Sequence, residues 1–482
     1  MFSLLLAVPQ SAMAAPLKDP NLPYLGDASS AIVSPLQEYW LGRGWLRQFR
    51  RQVGTLDDPL VNHYLENLVF QLVPGSGLGN WPIELIVVDN PALNAFAVPG
   101  GVLGINSGTL KYAQTEAELA AIVAHELAHM SQRHFARGIE ESKRNQTPAL
   151  AAMLASILLI ATVGGDAGFA ALAGTQAAIQ QQYLRFSRKN EAEADRLGLV
   201  TLTNANYDPL AMPMMFERML RAKRYSGQNP PEFLLTHPLT ESRVADTRNR
   251  AEQYTKSPSL KRDSLQYHLI RTRIQALAER SPGKLIKYFK AKIEEGISPY
   301  PQADKYGLAI AYINTEQFSK AAETLSALLK ANPSQVEYII ASSEIALQNQ
   351  RTAQAVAMLK KQTELQPGHY PLEVQLAKAY RLNSAHKASA KILENISKTR
   401  KDDPYVWFEL AEARGLAGDT LGVHRARGEF FQLVGNFSQA KKQLKYALRM
   451  TQHQFAVSSL IEQRIEEITK IQYSSKDAMK SL

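Results

Sequence analysis

Residues Thr115 to His134 read "TEAELAAIVAHELAHMSQRH". Three histidines and three glutamates stand there among residues that are mostly Ala, Leu, Ile and Val. Ionisable groups are costly inside an apolar helix unless something pairs with them, so their placement asks for a chemical reason. The stretch predicts a helix with a defined start. Thr115 followed by Glu118 is the pattern of a capping box, in which the hydroxyl accepts from an orphan N–H and the carboxylate reaches back. Leu119, Ile122, Val123 and Leu127 recur at helical spacing and predict a core face.

His125 and His129 are four residues apart, so both imidazoles project from one face about one turn apart. Two neutral imidazoles at that separation can hold one zinc ion, with bonds of about 2.0–2.1 Å. Glu126 points about 100° away from His125, toward a water at the metal rather than the metal itself. The bland alternative is a pair of packed core histidines, since H-E-x-x-H also arises by chance. The cap, the mid-helix position and the apolar flanks favour the metal.

A third ligand is required. His134 is nearest, but an unbroken helix places it roughly 180° from His125, which predicts a surface or second-sphere role. The metzincin extension of the motif fails, because Gln132 stands where Gly belongs and Phe135 where the last His belongs. "SRKNEAEADRLG" downstream is the better source. Glu191 and Asp195 share a face of a helix expected to begin near Asn190, with Glu193 pointing elsewhere. One carboxylate would bind zinc and the other would orient a ligand imidazole. The competing reading is an exposed acidic helix paired with Arg188, Lys189 and Arg196.

"HELAH", then "EAEAD", with "NAFAVPGG" upstream, resembles the HtpX-like gluzincin metallopeptidases, relatives of the CAAX prenyl proteases. The resemblance implies that His125, His129 and Glu191 bind one zinc per chain, that Glu126 is the general base, and that Asp195 is the outer aspartate. Asn94 to Gly101 matches the family's edge strand and turn beside the cleft. In physical terms, Val87–Asp89 and Asn94–Val98 predict strands, with Pro99-Gly100-Gly101 as a turn. The edge Asn94, Ala95, Phe96, Ala97, Val98 would bind an extended peptide by strand addition.

"LPYLGDASSAIVSPLQEYWLG" and the helical repeats at the end extend the resemblance to periplasmic members of the family in Gram-negative bacteria. It implies that His237, in "LLTHPLTESRVAD", is an extra zinc ligand that plugs the site, and that Arg243 stabilises the oxyanion. It implies unfolded or stalled outer-membrane barrel proteins as substrates, and the barrel-assembly machinery as a partner through the repeats. Physics alone does not single out His237, because a histidine before proline usually marks a turn.

The chain of 482 residues has room for two to three domains, and contains no cysteine, which excludes disulfides, thiolate catalysis and Cys-based zinc sites. "MFSLLLAVPQSAMAA" at 1–15 reads as the end of a signal peptide without its basic start, pointing to a start codon placed too far downstream. Asp166 is the only charge between Arg144 and Arg185. That region predicts an apolar helical hairpin at about 146–180, packing over the cleft or dipping into a membrane surface; a spanning helix needs about 20 apolar residues.

The second half has another grammar. Pro333 and Pro367 are 34 residues apart, the tetratricopeptide period. In register with them, Ala309, Tyr312 and Ala321 form one set, Ala355 and Leu359 a second, and Ala377, Tyr380 and Leu393 a third. "VWFELAEARGLAGD" and "GNFSQAKKQLKYAL" resemble further units with shifted spacing. The fold expected is therefore mainly α with a small β-sheet: a zincin-like metallopeptidase domain at 16–262, then an α-solenoid of tetratricopeptide repeats at 263–482. Charge divides likewise, with 24 basic and 23 acidic residues in 1–262 against 31 and 22 in 263–482. A basic repeat surface steers acidic partners. No nucleic-acid reader motif is present.

Together these features and the resemblance imply a periplasmic zinc metalloendopeptidase with a chaperone-like role in outer-membrane protein assembly and quality control, in peripheral contact with a membrane. Two other classes stay open: a repeat-based chaperone or scaffold whose protease site is silent, and a membrane-embedded protease.

Overall fold

The computed structural model describes residues 33–79, 82–144, 154, 157–158, 188–225, 231–254, 260–279 and 281–480. The expected leader lies outside the described residues, as does the expected hairpin apart from Leu154, Ile157 and Leu158. Among the described residues, no helix is long and apolar enough to cross a membrane.

Helices α1 (Pro35–Gln52) and α2 (Pro59–Leu72) precede strands β1 (Glu84–Val88), β2 (Ala95–Val98) and β3 (Val102–Asn106). After them come α3 (Ser107–Tyr112), α4 (Glu116–Ser131), α5 (His134–Arg144), α6 (Arg188–Asn204), α7 (Ala211–Tyr225), α8 (Phe233–Thr236) and α9 (Glu241–Tyr254). Local chemistry sets the starts. Ser34 and Gln37 form a capping box on α1, and Asp58 accepts from Leu60 N and Val61 N to open α2 behind Pro59. Thr115 caps α4 as expected, but the Glu118 carboxylate accepts from Gln114 N, one residue before the cap, so the box is only half formed.

The sheet order is β1-β3-β2, with β1 parallel and β2 antiparallel to β3. β1 and β2 lie close to the two expected strands. The central strand β3 was not expected; it follows directly from the turn at Pro99-Gly100-Gly101. Gly101 has a φ of 81°, and a Cβ there would lie 2.3 Å from Pro82 O, so only glycine lets the chain reverse against β1. Asn106 N donates to Asn94 O. By antiparallel alternation, Ala95 and Ala97 then turn their backbone groups away from β3, along the edge beside α4.

One buried cluster joins Leu65 and Leu68 of α2, Leu119, Ile122 and Val123 of α4 and Leu199 of α6. A second sets Trp45 and Phe49 of α1 against Phe96, with Leu154, Ile157 and Leu158, and Trp45 Nε1 donates to Leu154 O at 3.0 Å.

The remainder is helical: α10 (Leu265–Ala278), α11 (Pro282–Glu295), α12 (Pro301–Ile313), α13 (Phe318–Ala331), α14 (Val336–Gln348), α15 (Thr352–Leu365), α16 (Tyr370–Leu382), α17 (His386–Thr399), α18 (Pro404–Leu416), α19 (Thr420–Leu433), α20 (Phe437–Arg449) and α21 (Phe455–Lys480). Ala309, Ala321, Ala355, Leu359, Ala377 and Leu393 are all buried, as their register requires. The turns inside successive pairs place Glu316, Gln350, Ser384 and Gly418 in the left-handed region, at intervals of 34 residues. "VWFELAEARGLAGD" therefore keeps the period in its backbone, where its side chains had suggested a shift.

The array packs on the catalytic part. Ile339 of α14 and Leu372 of α16 share the core of α2 and α4. Arg273 of α10 pairs with Asp58 at 2.8 Å and Glu344 at 3.3 Å, and α21 returns to α1, where Arg47 Nη1 donates to Ser475 Oγ at 3.2 Å.

Candidate metal centre

Helices α4 and α6 meet through small residues. Ala194 is fully buried, and a Cβ on Gly198 would lie 3.3 Å from His125 N, so the backbones approach closely enough for their side chains to share one pocket. His125, His129, Glu191 and His237 each aim one ligand atom into that pocket, and all four residues are 0–1% exposed. His125 Nε2 lies 3.1 Å from His129 Nε2, 3.3 Å from His237 Nδ1 and 3.6 Å from Glu191 Oε2. Glu191 Oε1 lies 3.4 Å from His129 Nε2 and 3.1 Å from His237 Nδ1. Zinc bonds of 2.0–2.1 Å in a tetrahedron put ligand atoms about 3.3–3.4 Å apart, so these separations fit one zinc ion among four donors. Glu191 Oε2 makes no well-formed hydrogen bond, although the Arg243 guanidinium lies beside it.

The surroundings select positive charge. Against the cost of burial, Asp195 and Glu191 push His125 up to about 10. Burial opposes ionisation of Glu191 as well, yet His237, His125 and His129 hold its carboxyl well below the usual carboxylate range. His125 Nδ1 faces Asp195 Oδ1 at 3.0 Å. Asp195 is gripped by Arg243 through Nε and Nη2, both at 2.8 Å, while Arg243 Nη1 reaches Glu191 Oε2 at 2.8 Å and Pro238 O at 2.7 Å. Three of the five guanidinium N–H groups thus donate to fixed acceptors, and Nη1 adds an ion pair to Glu191.

Glu126 is fully buried, and neither of its carboxylate oxygens makes a well-formed hydrogen bond. Burial pushes its pKa up, opposed first by His237 and His125, with the Ala97 amide of the β2 edge also facing it. His237 caps α8, stacks on Phe233 with 4.5 Å between centroids, and brings Nε2 within 3.4 Å of Glu126 Oε1. Asn94 to Val98 are all buried beside α4.

His134 departs from expectation. The helix does not run on: Arg133 adopts a φ of 48°, α4 stops, and α5 begins at His134 in a new direction. The ring therefore swings back to the pair it was expected to avoid, is 1% exposed, and puts Nδ1 2.8 Å from His129 Nδ1. Glu193, expected to point elsewhere, meets His134 Nε2 at 3.3 Å.

A model of peptidase family M48 matches residues 59–251, the span from α2 into α9. The chain is 32% identical over 452 residues to the beta-barrel assembly-enhancing protease of Escherichia coli O157:H7, covering 94% of this chain and 92% of that protein. It belongs to peptidase family M48. The beta-barrel assembly-enhancing protease of Yersinia pestis is 34% identical over 443 residues, covering 91% and 90%. The mitochondrial metalloendopeptidase OMA1 of Schizosaccharomyces pombe is 30% identical over 220 residues, covering 45% of this chain and 60% of that one. This M48 chain is a zinc-dependent metallopeptidase, and the four-donor pocket is where its described residues converge.

Proposed function

We propose that this chain is a periplasmic endopeptidase acting in outer-membrane protein assembly and quality control. In this reading His125, His129 and Glu191 hold the zinc, with His237 as a fourth ligand. The observation that carries it is the convergence of those donors at tetrahedral spacing, with a buried carboxylate, Glu126, beside them. Held there, zinc would supply the acidity of a bound water and the polarisation of the scissile carbonyl. Glu126 takes the water's proton and later delivers it to the leaving amine, a role its raised pKa suits. Asp195 holds His125 by Nδ1. Arg243, which holds Asp195, Glu191 and Pro238 O, acts mainly by locking the two carboxylates, with a guanidinium N–H left for a developing oxyanion. Substrate adds as a strand along Asn94–Val98, whose Ala97 amide faces Glu126. His237, lying between the donors and Glu126, closes the site until it moves.

The names of the relatives support barrel proteins as the clients and assembly as the setting. We assign cleavage to residues 16–262 and partner binding to 263–482, where the basic repeats meet the assembly machinery. A chaperone with a silent protease is the second reading, favoured by the closed position of His237.

Glu126→Gln separates the two. The variant should keep its zinc and its fold while chelator-sensitive casein cleavage falls about 100- to 10,000-fold. If Glu126→Gln also supports outer-membrane assembly as well as the wild type, the chaperone reading replaces this one.

A further inference from the structure

His134 closes the opening stretch and has no part in the chemistry above, yet it is buried against a proposed ligand. Its partners fix its protonation pattern. Glu193 is a carboxylate, so at His134 Nε2, 3.3 Å away, the proton belongs to the imidazole. Arg137 Nη2 donates to the same Glu193 Oε2 at 3.0 Å and keeps that carboxylate ionised and in place. With Nε2 protonated, the neutral His134 ring offers a bare Nδ1, and the group 2.8 Å from it is His129 Nδ1. His129 must therefore donate through Nδ1. Its Nε2 is left as a lone pair, and Nε2 is the atom that lies 3.1 Å from His125 Nε2 and 3.4 Å from Glu191 Oε1.

We propose that His134 is a positioning residue for zinc: it sets the tautomer of His129, and Glu193 sets the tautomer of His134. The two ligand imidazoles are then oriented by different devices. His125 Nδ1 faces a carboxylate directly, Asp195 Oδ1 at 3.0 Å, whereas His129 donates to a neutral ring that is itself backed by a carboxylate. A metal-ligating histidine commonly gives its other N–H to an outer acceptor, and loss of such an acceptor weakens metal binding. The break of α4 at Arg133 is what makes this relay possible, because a continuous helix carries residue 134 to the far side.

This inference rests on His129 being a ligand, and its test separates the two ideas. Zinc affinity of the full chain is measured by competition with a chromogenic chelator for the wild type and four variants, alongside the thermal midpoint of each metal-free protein. His134→Phe, which keeps a ring but removes the acceptor, should weaken zinc about 10- to 100-fold with the metal-free midpoint unchanged. His134→Gln, whose amide oxygen can accept from His129 Nδ1, should recover most of that loss. Glu193→Gln should weaken zinc about 10-fold, because an amide can donate to His134 and reverse the relay. Wild-type affinity in His134→Phe overturns the inference, and so does an equal loss in His134→Phe and His134→Gln, which marks packing instead of a hydrogen bond. If His134→Phe does not fold, Glu193→Gln decides alone, since its side chain is 22% exposed and tolerates replacement; wild-type zinc affinity in that variant then overturns the inference. Wild-type affinity in His129→Ala overturns the zinc site itself and not merely the relay.

Discussion

At the centre of α4, His125, Glu126 and His129 are 0–1% exposed; at equal depth in the array stand Ala309, Ala321, Ala355 and Ala377. The two regions bury opposite kinds of residue for different ends. In the array, alanine lets helices approach and costs nothing to desolvate, and each pair needs only its neighbours. Some polar groups buried there are satisfied in place: Ser343 Oγ donates to Ile340 O at 2.7 Å and accepts from Gln375 Nε2 at 2.8 Å. Others, such as the hydroxyls of Tyr338 and Ser389, stand singly without a well-formed bond. In α4 the deep groups point lone pairs at one another, an arrangement that is unfavourable until a cation or proton sits among them. What marks chemistry is several buried donors converging on one point, as His125, His129, Glu191 and His237 do.

The seam between the regions offers the sharpest way to break that comparison. Arg273 is buried between Asp58, which caps α2, and Glu344 of α14. Arg273→Met strands two carboxylates and should cost about 3 kcal/mol, read as a lower denaturant midpoint for both regions together. A shift confined to the array would mean that the seam does not couple them.

Glu232 gives a smaller effect with a defined pH sign. It precedes α8, and burial pushes its carboxyl up to about 7, while hydrogen bonds from Asn90 and Asn106 pull the other way. An unfolded glutamate ionises near pH 4.3, so between there and about 7 the native state holds the extra proton and stability falls as pH rises. Glu232→Gln should leave stability at pH 4 almost unchanged and raise it at pH 8 by roughly 2 kcal/mol. Equal midpoints for the two proteins at both pH values would contradict the shift. The smallest effect belongs to the array: Ala309→Gly should cost about 1 kcal/mol, with zinc affinity and cleavage of a short peptide unchanged.

The sequence disclosed what local spacing encodes. The cap at Thr115, the core face of α4, the paired histidines and the Glu191–Asp195 pair all depend on separations of three or four residues. The 34-residue period depends on Pro333 and Pro367. What escaped lies at non-glycine residues with positive φ. Arg133 carries no composition signal for a left-handed turn, so His134 was projected along a helix that had already ended. Glu316, Gln350 and Ser384 hide the recurring turn in the same way, and only Gly418 announces it. Strand β3 was missed because "VLGIN" follows its glycine turn without alternation, being buried on both faces at the centre of the sheet. His237 entered by resemblance alone, since its place depends on a short helix stacked across the cleft.

Metal content of the purified chain, compared with that of Glu191→Ala, tests the central claim most directly. The account predicts one zinc per chain in the wild type and almost none in the variant, with the repeat array still folded. A variant that retains its full complement of zinc would contradict it.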